Sequence, residues 1–279
     1  MRPSAFLLAA LALTACDAKG TGNEDTDATG NNLEDTDVTA DTDVADTDAT
    51  DTDATDTDVQ TEYAKVPFVH AGIYTLNSYL HFHDLVVTAV RYRVTPPASN
   101  GVIVQDPAYT DNAGLYVDLD NTQAMPEVGD LLDFVGVYVE DPVGGTGVDA
   151  LSTIVIDPID TNSYYNVTGT AALPEPVTLT LADILDSSVA ETYESMRVHV
   201  DGPLNVVSNR NGYGEVKVKT VGGSDEVLVS PRFYDIIADY PGLGNLDSFS
   251  GLNGVLFWER GAYKVATTTA LDVAGYTHP

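Results

Sequence analysis

The histidines with the most suggestive spacing are His81 and His83, which directly precede Asp84. Residues two apart on a β-strand face the same way, so both imidazoles could reach one metal ion. A stable site needs a third and usually a fourth ligand, and nothing in the sequence brings His70 or His199 near this pair. The spacing therefore indicates a polar start to a strand, and we predict no metal site and no cofactor.

A second group consists of oxygen-bearing side chains around one short predicted strand, at Asp106, Asp111, Asp118, Asp120 and Asn121. Calcium takes such oxygen ligands, so these loops are a candidate calcium site. The same residue types are common in ordinary acidic turns, because Asp and Asn tolerate left-handed backbone conformations. The turn interpretation is the one that the sequence favours.

A third group combines basic and aromatic side chains in the last third of the chain. Its members are Arg210, Tyr213, Lys217, Lys219, Arg260 and Tyr263. Lys217 and Lys219 alternate with valines, which predicts that they share one strand face with Glu215. Such a face is typical of single-stranded nucleic-acid binding. The chain, however, carries 43 acidic and 12 basic side chains, a net charge of −31, which repels phosphate. We therefore expect a solvated strand face, and nucleic acid is disfavoured as a partner.

Known catalytic motifs are absent from the sequence. It contains no Gly-x-Ser-x-Gly, His-Glu-x-x-His or phosphate-loop pattern. With 43 acidic residues, carboxylate pairs arise by chance and do not identify a glycosidase. The single cysteine excludes an intramolecular disulfide framework and a multi-cysteine zinc site. We predict that the protein is not an enzyme and has no catalytic or cofactor-binding residue.

Residues 1–15 have the pattern of a signal peptide, with Arg2 before an apolar run over residues 5–13. That run is too short to span about 30 Å of hydrocarbon as a helix. Leu13-Thr14-Ala15-Cys16 resembles the bacterial lipobox, which implies cleavage before Cys16 and lipidation of its sulfur. We therefore expect a membrane partner through the lipid anchor, at the outer membrane or cell surface rather than the inner membrane. An ordinary signal peptide with an incidental cysteine is the alternative.

Residues 16–62 comprise the predicted lipidated cysteine and a segment in which Asp-Thr-Asp occurs six times. With so few apolar side chains the segment cannot offset its ordering entropy, and its charges repel one another, so we predict a disordered tether. Known calcium loops use a glycine at the turn and a terminal bidentate Glu, and the repeats at 41–58 have neither. We expect only weak association of divalent cations with this tether.

From about residue 63 the sequence changes to short apolar runs with two-residue alternation, which is typical of β-strands. Pro174-Glu-Pro176 divides this region into units 63–173 and 174–279. Thr180 and Asp183 form a capping box that predicts a short helix to about residue 185, with an extension toward residue 193 left open. Pro231 predicts another short helix that includes Ile236 and Ile237 and is ended by Gly242 and Gly244. The predicted strands are 85–92, 101–105, 114–119, 131–139 and 152–156 in the first unit, and 196–200, 214–219, 226–230, 252–259 and 264–271 in the second.

The two units share an order of signals that suggests an internal duplication. Segment 84–90 parallels 195–200, segment 101–105 parallels 214–218, and segment 134–138 parallels 252–256. Five strands per unit, curved at glycines, favour an all-β fold of two consecutive small Greek-key OB-like barrels with short helices after the tether. A pair of immunoglobulin-like sandwiches is the alternative, although it would need seven strands per unit. Tyr164 and Tyr165 are expected to pack at the junction of the units.

Several runs carry a family resemblance: Gly101-Val-Ile-Val-Gln-Asp-Pro107, Ala113-Gly-Leu-Tyr-Val117, Phe134-Val-Gly136 and Glu194-Ser-Met-Arg-Val198. They are similar to the OB-fold modules that accompany bacterial extracellular nucleases, and related modules occur in bacterial surface lipoproteins. The likeness covers about 84–272 and includes no catalytic motif. The nuclease relatives carry their chemistry in a separate domain, for which we expect no room in this chain.

Two classes of function follow from these patterns. The first is a non-catalytic binding module on the cell envelope, with a polysaccharide, a peptide or another envelope protein as its partner. The second is an accessory OB-fold subunit of an extracellular nuclease or other hydrolase, in contact with nucleic acid. A purely structural spacer is a weaker third possibility.

Overall fold

A computed structural model of the chain describes residues 62–91, 100–119, 124–141, 151–236, 240 and 243–278. The predicted signal peptide 1–15, Cys16 and nearly all of the predicted tether lie outside these residues, as do Asp120 and Asn121. Within the described ranges, no helix is long and apolar enough to cross a membrane.

The described chain consists mainly of strands, with three short helices. The strands are β1 (Tyr79–Arg91), β2 (Asn100–Gln105), β3 (Gly114–Leu119), β4 (Asp130–Asp141), β5 (Leu151–Ile156), β6 (Tyr164–Thr170), β7 (Val177–Thr178), β8 (Arg197–Val206), β9 (Val216–Thr220), β10 (Val227–Ser230), β11 (Ser248–Glu259), β12 (Ala262–Ala266) and β13 (Val273–Ala274). The helices are α1 (Val66–His70), α2 (Leu181–Leu185) and α3 (Ser187–Thr192). All ten predicted strands are present, whereas β6, β7 and β13 were not predicted.

The first five strands close into a barrel in the order β1-β2-β3-β5-β4, with β4 pairing back onto β1. All of these pairings are antiparallel except that of β3 with β5, which is parallel. β6 extends the sheet by pairing with the N-terminal half of β4, residues 130–135. Apolar residues that alternate along the strands fill the barrel, including Phe82 and Phe134, whose rings stack with centroids 5.1 Å apart.

The second barrel repeats this topology with strands β8, β9, β10, β12 and β11, and β11 pairs back onto β8. Here too the third and fifth strands, β10 and β12, are parallel. β7 and β13 flank this barrel on β8 and β11. Two closed five-stranded barrels of this order confirm the predicted pair of OB-like barrels, and the immunoglobulin-like alternative is wrong.

The two barrels share apolar packing at their junction. On β2 and β3 of the first barrel, Val102 and Leu115 face the barrel's own interior, whereas Ile103 and Tyr116 belong to the core of the second barrel. The Tyr116 ring meets Phe257 of β11 edge-on, with centroids 5.8 Å apart. The outer β2–β3 face, which is the face through which OB folds bind oligonucleotides, is therefore covered by the second barrel.

Backbone contacts also join the barrels. The Asn112 N–H donates to the carbonyl of Thr192 at 2.7 Å, and the Arg197 N–H donates to Oε1 of Gln105 at 3.2 Å. Gly114 approaches the 194–195 backbone so closely that a Cβ built on it would lie 2.2 Å from Ser195 carbonyl atoms. The junction is thus fixed by polar and apolar contacts together.

The capping box at Thr180 is confirmed. The Thr180 side chain accepts from the Asp183 N–H, and the Asp183 carboxylate accepts from the Thr180 N–H. The helical region then breaks at Asp186, whose extended backbone ends α2 and whose side chain caps α3. The predicted extension toward residue 193 is therefore a separate short helix.

Two predictions in this part of the chain need correction. The helix predicted from Pro231 does not begin there: residues 231–235 are not helical, and Thr267, which follows β12, donates through its N–H to the Ser230 carbonyl and through its Oγ1 to the Tyr234 carbonyl. Ile236 lies in a 3-10 turn, and residues 237–239 lie outside the described ranges. Tyr164 and Tyr165 do not pack at the junction of the units. They lie on β6, where Tyr165 packs against the core of the first barrel.

The internal repeat is real in topology, but two of its three sequence parallels have the wrong register. Along the paired strands Val102 corresponds to Val216, so segment 101–105 matches 215–219 and not 214–218. Gly136 and Gly254 occupy matching places, each pressed against the neighbouring strand β5 or β12. Gly136 pairs with Leu80 and Gly254 pairs with Val198, so residues 80 and 198 correspond. Segment 84–90 therefore lies farther along its strand than segment 195–200 does.

Candidate functional site

A cavity of about 750 Å³ opens where the loops at one end of the second barrel meet the first barrel. This volume lies within the usual range for small-molecule sites. The β8–β9 loop, the segment after β10 and the β11–β12 turn form its walls, and Arg91 at the end of β1 completes it. The lining residues are Arg91, Arg210, Tyr213, Glu215, Ser230, Pro231, Arg232, Asp235, Glu259 and Arg260.

The charge of this cavity contrasts with that of the whole chain. Four arginines line it against three carboxylates, although the protein has only 12 basic residues and a net charge of −31. The planar guanidinium group binds carboxylate and phosphate groups through two parallel hydrogen bonds. The described lining of the cavity carries one more arginine than carboxylates.

Buried ion pairs form the inner wall of the cavity. Lys264 of β12 is 2% exposed, and its Nζ lies 2.5 Å from Oε1 of Glu215 and 3.7 Å from Oε2 of Glu259. Burial acts to raise the pKa of Glu215, but hydrogen bonds from Lys264 and Asn211 outweigh it and hold the pKa below its ordinary value. Both glutamates are thus matched by cations of the protein itself, which leaves further positive charge for a ligand.

Arg232 is the most firmly held of the four arginines. Its Nη1 donates to Oε1 of Glu259 at 2.6 Å, and its guanidinium lies over the ring of Phe257, 4.6 Å from the centroid. The ring centroid of Tyr116, in the first barrel, lies 5.8 Å from the same guanidinium. Cation–π contacts with buried rings fix the side chain and tie the cavity to the barrel junction. The buried Nε of Arg232 has no hydrogen-bond partner within the described structure.

Arg260 and Tyr213 form the exposed rim. The Arg260 guanidinium lies 3.9 Å from the centroid of the Tyr213 ring. Tyr213 is 63% exposed. Arg260 and Gly261 both have positive φ in the tight turn between β11 and β12, which directs the side chain of Arg260 toward the cavity. Because one face of the Tyr213 ring is taken by Arg260, the other can stack against a ligand.

Arg210 is held on the same rim by local backbone geometry. Its Nη2 donates to Oδ2 of Asp235 at 2.9 Å, and its guanidinium lies against Gly214, whose φ is +84°. The side chain of Asn211 accepts from the N–H groups of Tyr213 and Glu215, which shapes the β8–β9 loop. This loop and the β11–β12 turn correspond to the loops that bind ligands in OB folds.

The structure brings together only part of the basic and aromatic group singled out in the sequence. Arg210, Tyr213 and Arg260 converge on the cavity. Lys217 instead lies on the outer face of β9 and pairs with Glu226 at 3.2 Å, whereas Glu215 is buried and pairs with Lys264. The Tyr263 hydroxyl donates to Glu191 at the barrel junction.

Sequence reasoning missed Arg91, Arg232 and Glu259 as cavity residues. Arg91 lies on the other barrel, and no spacing in the sequence relates it to residue 232. Arg232 follows Pro231 and was assigned to a helix, whereas residues 231–235 are not helical. Glu259 was placed correctly at the end of a strand, but nothing in the pattern indicated its ion pairs.

His81 and His83 face the same way, as predicted, but both bind one carboxylate. The His81 Nε2 lies 2.9 Å from Oδ1 of Asp133, and the His83 Nδ1 lies 2.8 Å from Oδ2. Burial opposes ionisation of Asp133, yet hydrogen bonds from both histidines hold its pKa below the ordinary value. Tyr63 stacks on His83 with centroids 4.8 Å apart. These contacts favour a polar strand cluster over a metal site.

Among the described acidic residues of this group, Asp106 follows the turn interpretation. Oδ1 of Asp106 accepts from the N–H of Ala108 at 2.9 Å, which is the contact of an Asx turn. Asp118 lies within β3 opposite Gly101.

Comparison with known proteins adds no assignment, because no family model and no curated protein matches the chain.

Proposed function

We propose that the protein is a non-catalytic binding module that takes an acidic group of a polysaccharide into the arginine-lined cavity of its second barrel. The observation that supports this most is the convergence of Arg91, Arg210, Arg232 and Arg260 in a protein with a net charge of −31. A composition with so few basic residues does not by itself predict four arginines in one cavity. The topology brings them together from two barrels and three separate loops.

The cavity favours an acidic sugar over a long polyanion. Repulsion by the rest of the chain grows with ligand charge, whereas a single carboxylate would meet four arginines that line one cavity. The exposed face of Tyr213 suits the apolar face of a sugar ring, while Ser230 and Asp235 offer oxygen atoms to hydroxyl groups. An acidic sugar combines these three features.

The expected location of the module supports this choice of ligand. With Cys16 lipidated, the protein is anchored in the bacterial envelope, and residues 17–62 act as an acidic spacer between the membrane and the barrels. The cavity would then face the envelope polysaccharides that surround the membrane. Replacing Cys16 with Ala tests the anchor, since the variant is expected to leave the membrane fraction.

Binding of labelled monomeric galacturonate tests the proposed ligand, with its methyl ester as the uncharged control. We expect the acid to bind and the ester to bind at least about 10-fold more weakly, since loss of one charge-assisted pair removes about 1.5–3 kcal/mol. The double variant Arg210→Gln/Arg260→Gln loses the preference for the acid. The matched variant Lys217→Gln/Lys219→Gln retains it, because neither lysine lines the cavity. Equal binding of acid and ester would contradict the proposal.

The second candidate function is the accessory subunit that contacts nucleic acid. Its specific support is the Arg260–Tyr213 pair on loops that OB folds use for single strands. A labelled single-stranded oligonucleotide in about 50 mM salt distinguishes the two functions. Binding below 1 μM that weakens steeply with salt would favour this second function, whereas we expect weak binding and no hydrolysis of nucleic acid, ester or glycoside.

A further inference from the structure

We propose that His70, Glu191 and Glu194 form a binding site for one divalent transition-metal ion at the junction of the two barrels. One ligand atom from each residue lies within 4.8 Å of the others, and this is the one such group within the described ranges. Three donor atoms that each lie about 2.1 Å from one ion are about 3.4–3.6 Å from one another. Side-chain shifts of about 1 Å would therefore complete the site.

His70 is oriented as a metal ligand would be. Its Nε2 lies 2.8 Å from the carbonyl oxygen of Gly114, and because a carbonyl only accepts, Nε2 carries the proton. Nδ1 then holds a lone pair, and this atom is buried without a hydrogen-bond partner within the described chain. A histidine that donates one ring N–H to a carbonyl and offers the other nitrogen to the metal is the usual arrangement in metalloproteins.

Burial lowers the pKa of the His70 ring, although the contact with Gly114 and the charge of Glu191 act in the opposite direction.

The two glutamates are held in place by other contacts. Glu191 accepts a hydrogen bond from the Tyr263 hydroxyl, and Oε1 of Glu194 accepts from the Ser152 N–H at 3.1 Å. Glu194 is 1% exposed, so its charge is removed from water. Two carboxylates this close repel each other, and a divalent cation between them replaces repulsion with attraction.

The donor set and its location define the ion and its effect. One imidazole nitrogen with two carboxylates suits Zn²⁺ or Mn²⁺, whereas Ca²⁺ prefers oxygen donors alone. His70 ends α1, which precedes the first barrel, while Glu191 lies on α3, which leads into the second. A bound ion would therefore cross-link the barrels and stabilise their junction.

Zinc titration of the purified full-length protein against a chromophoric chelator tests the site. The acidic tether also attracts divalent ions, so the comparison is with His70→Gln, in which the tether is unchanged. We expect one tight Zn²⁺ in the wild type and an affinity weakened at least about 100-fold in His70→Gln. His81→Gln is the matched control, because His81 belongs to the cluster on Asp133, and it should keep the tight ion.

A second readout separates metal binding from a folding defect. Zn²⁺ should raise the melting temperature of the wild type and of His81→Gln by mass action, but not that of His70→Gln or Glu191→Gln. Co²⁺ in the site should give visible absorption bands that are missing in His70→Gln. Equal tight Zn²⁺ binding by wild type and His70→Gln, or loss of the tight ion in His81→Gln, would overturn the proposal. Neither outcome depends on the ligand of the arginine cavity.

Discussion

Replacement of Gly114 with Ala should separate the two barrels at their closest contact. A Cβ at this position would lie 2.2 Å from the carbonyl carbon and oxygen of Ser195 and 2.6 Å from the carbonyl oxygen of Glu194. These are backbone atoms, so they cannot rotate away as a side chain could. The contact is at least about 1 Å shorter than van der Waals packing allows, and the junction has to open by a comparable amount.

The expected loss of stability follows from that overlap. Overpacking of this kind destabilises by about 1–3 kcal/mol, and the rigid neighbours place Gly114→Ala at the upper end. For a folded region of about 200 residues each kcal/mol shifts the melting temperature by roughly 2–4 °C, so we expect a decrease of about 6–12 °C. Differential scanning calorimetry measures this, and the wild type should melt with both barrels in one transition.

Gly212→Ala provides the matched control. A Cβ there meets nothing within 4 Å, so the melting temperature should stay within a few degrees of the wild type. If Gly114→Ala melts like Gly212→Ala, the close approach of the barrels described above is refuted.

Three further predictions concern the residues behind the cavity. Gly101→Ala places a Cβ 2.2 Å from the Tyr116 hydroxyl oxygen, so it should displace that ring and weaken ligand binding by loosening Arg232, measured as a higher Kd. Lys264→Met leaves Glu215 buried without its closest cation and should reduce the free energy of unfolding in urea by about 3–5 kcal/mol. The lowered pKa of Glu215 contributes stability that is fully present above its unfolded value near 4.5 and is lost as pH falls through the lower folded value. Urea midpoints should therefore be constant from about pH 7 to pH 5.5 and fall below pH 4.5, and a midpoint that rises on acidification would contradict this assignment.

The barrels were predictable because the signals for them are local. Strands such as β3 alternate every second residue, the capping box at Thr180 needs only four consecutive residues, and the parallel β3–β5 pairing follows from the OB topology. The register of the internal repeat was not predictable in the same way. β1 carries a bulge after Phe82 and a residue with positive φ at Asp84, and neither leaves a trace in the apolar pattern.

The sites were less predictable because they depend on distant segments. Arg260 and Tyr213 were noticed in the sequence, but only the closure of the second barrel places their side chains 3.9 Å apart. Arg91 reaches the same cavity because the two barrels pack on one another, which no pattern in either unit indicates. The proximity of His70 to Glu191 has the same origin, since these two residues are 121 positions apart in the chain.

Nuclear magnetic resonance of the arginine Nε–H groups tests the central claim most directly, because it observes the cavity residues one by one. On titration with galacturonate, the signals of Arg91, Arg210, Arg232 and Arg260 should shift together and fit a single binding site. The signal of Arg197, whose guanidinium donates to the Pro174 carbonyl, should stay unchanged. Shifts confined to Arg197, or no saturable shift of the four cavity arginines, would contradict the binding of an acidic sugar in this cavity.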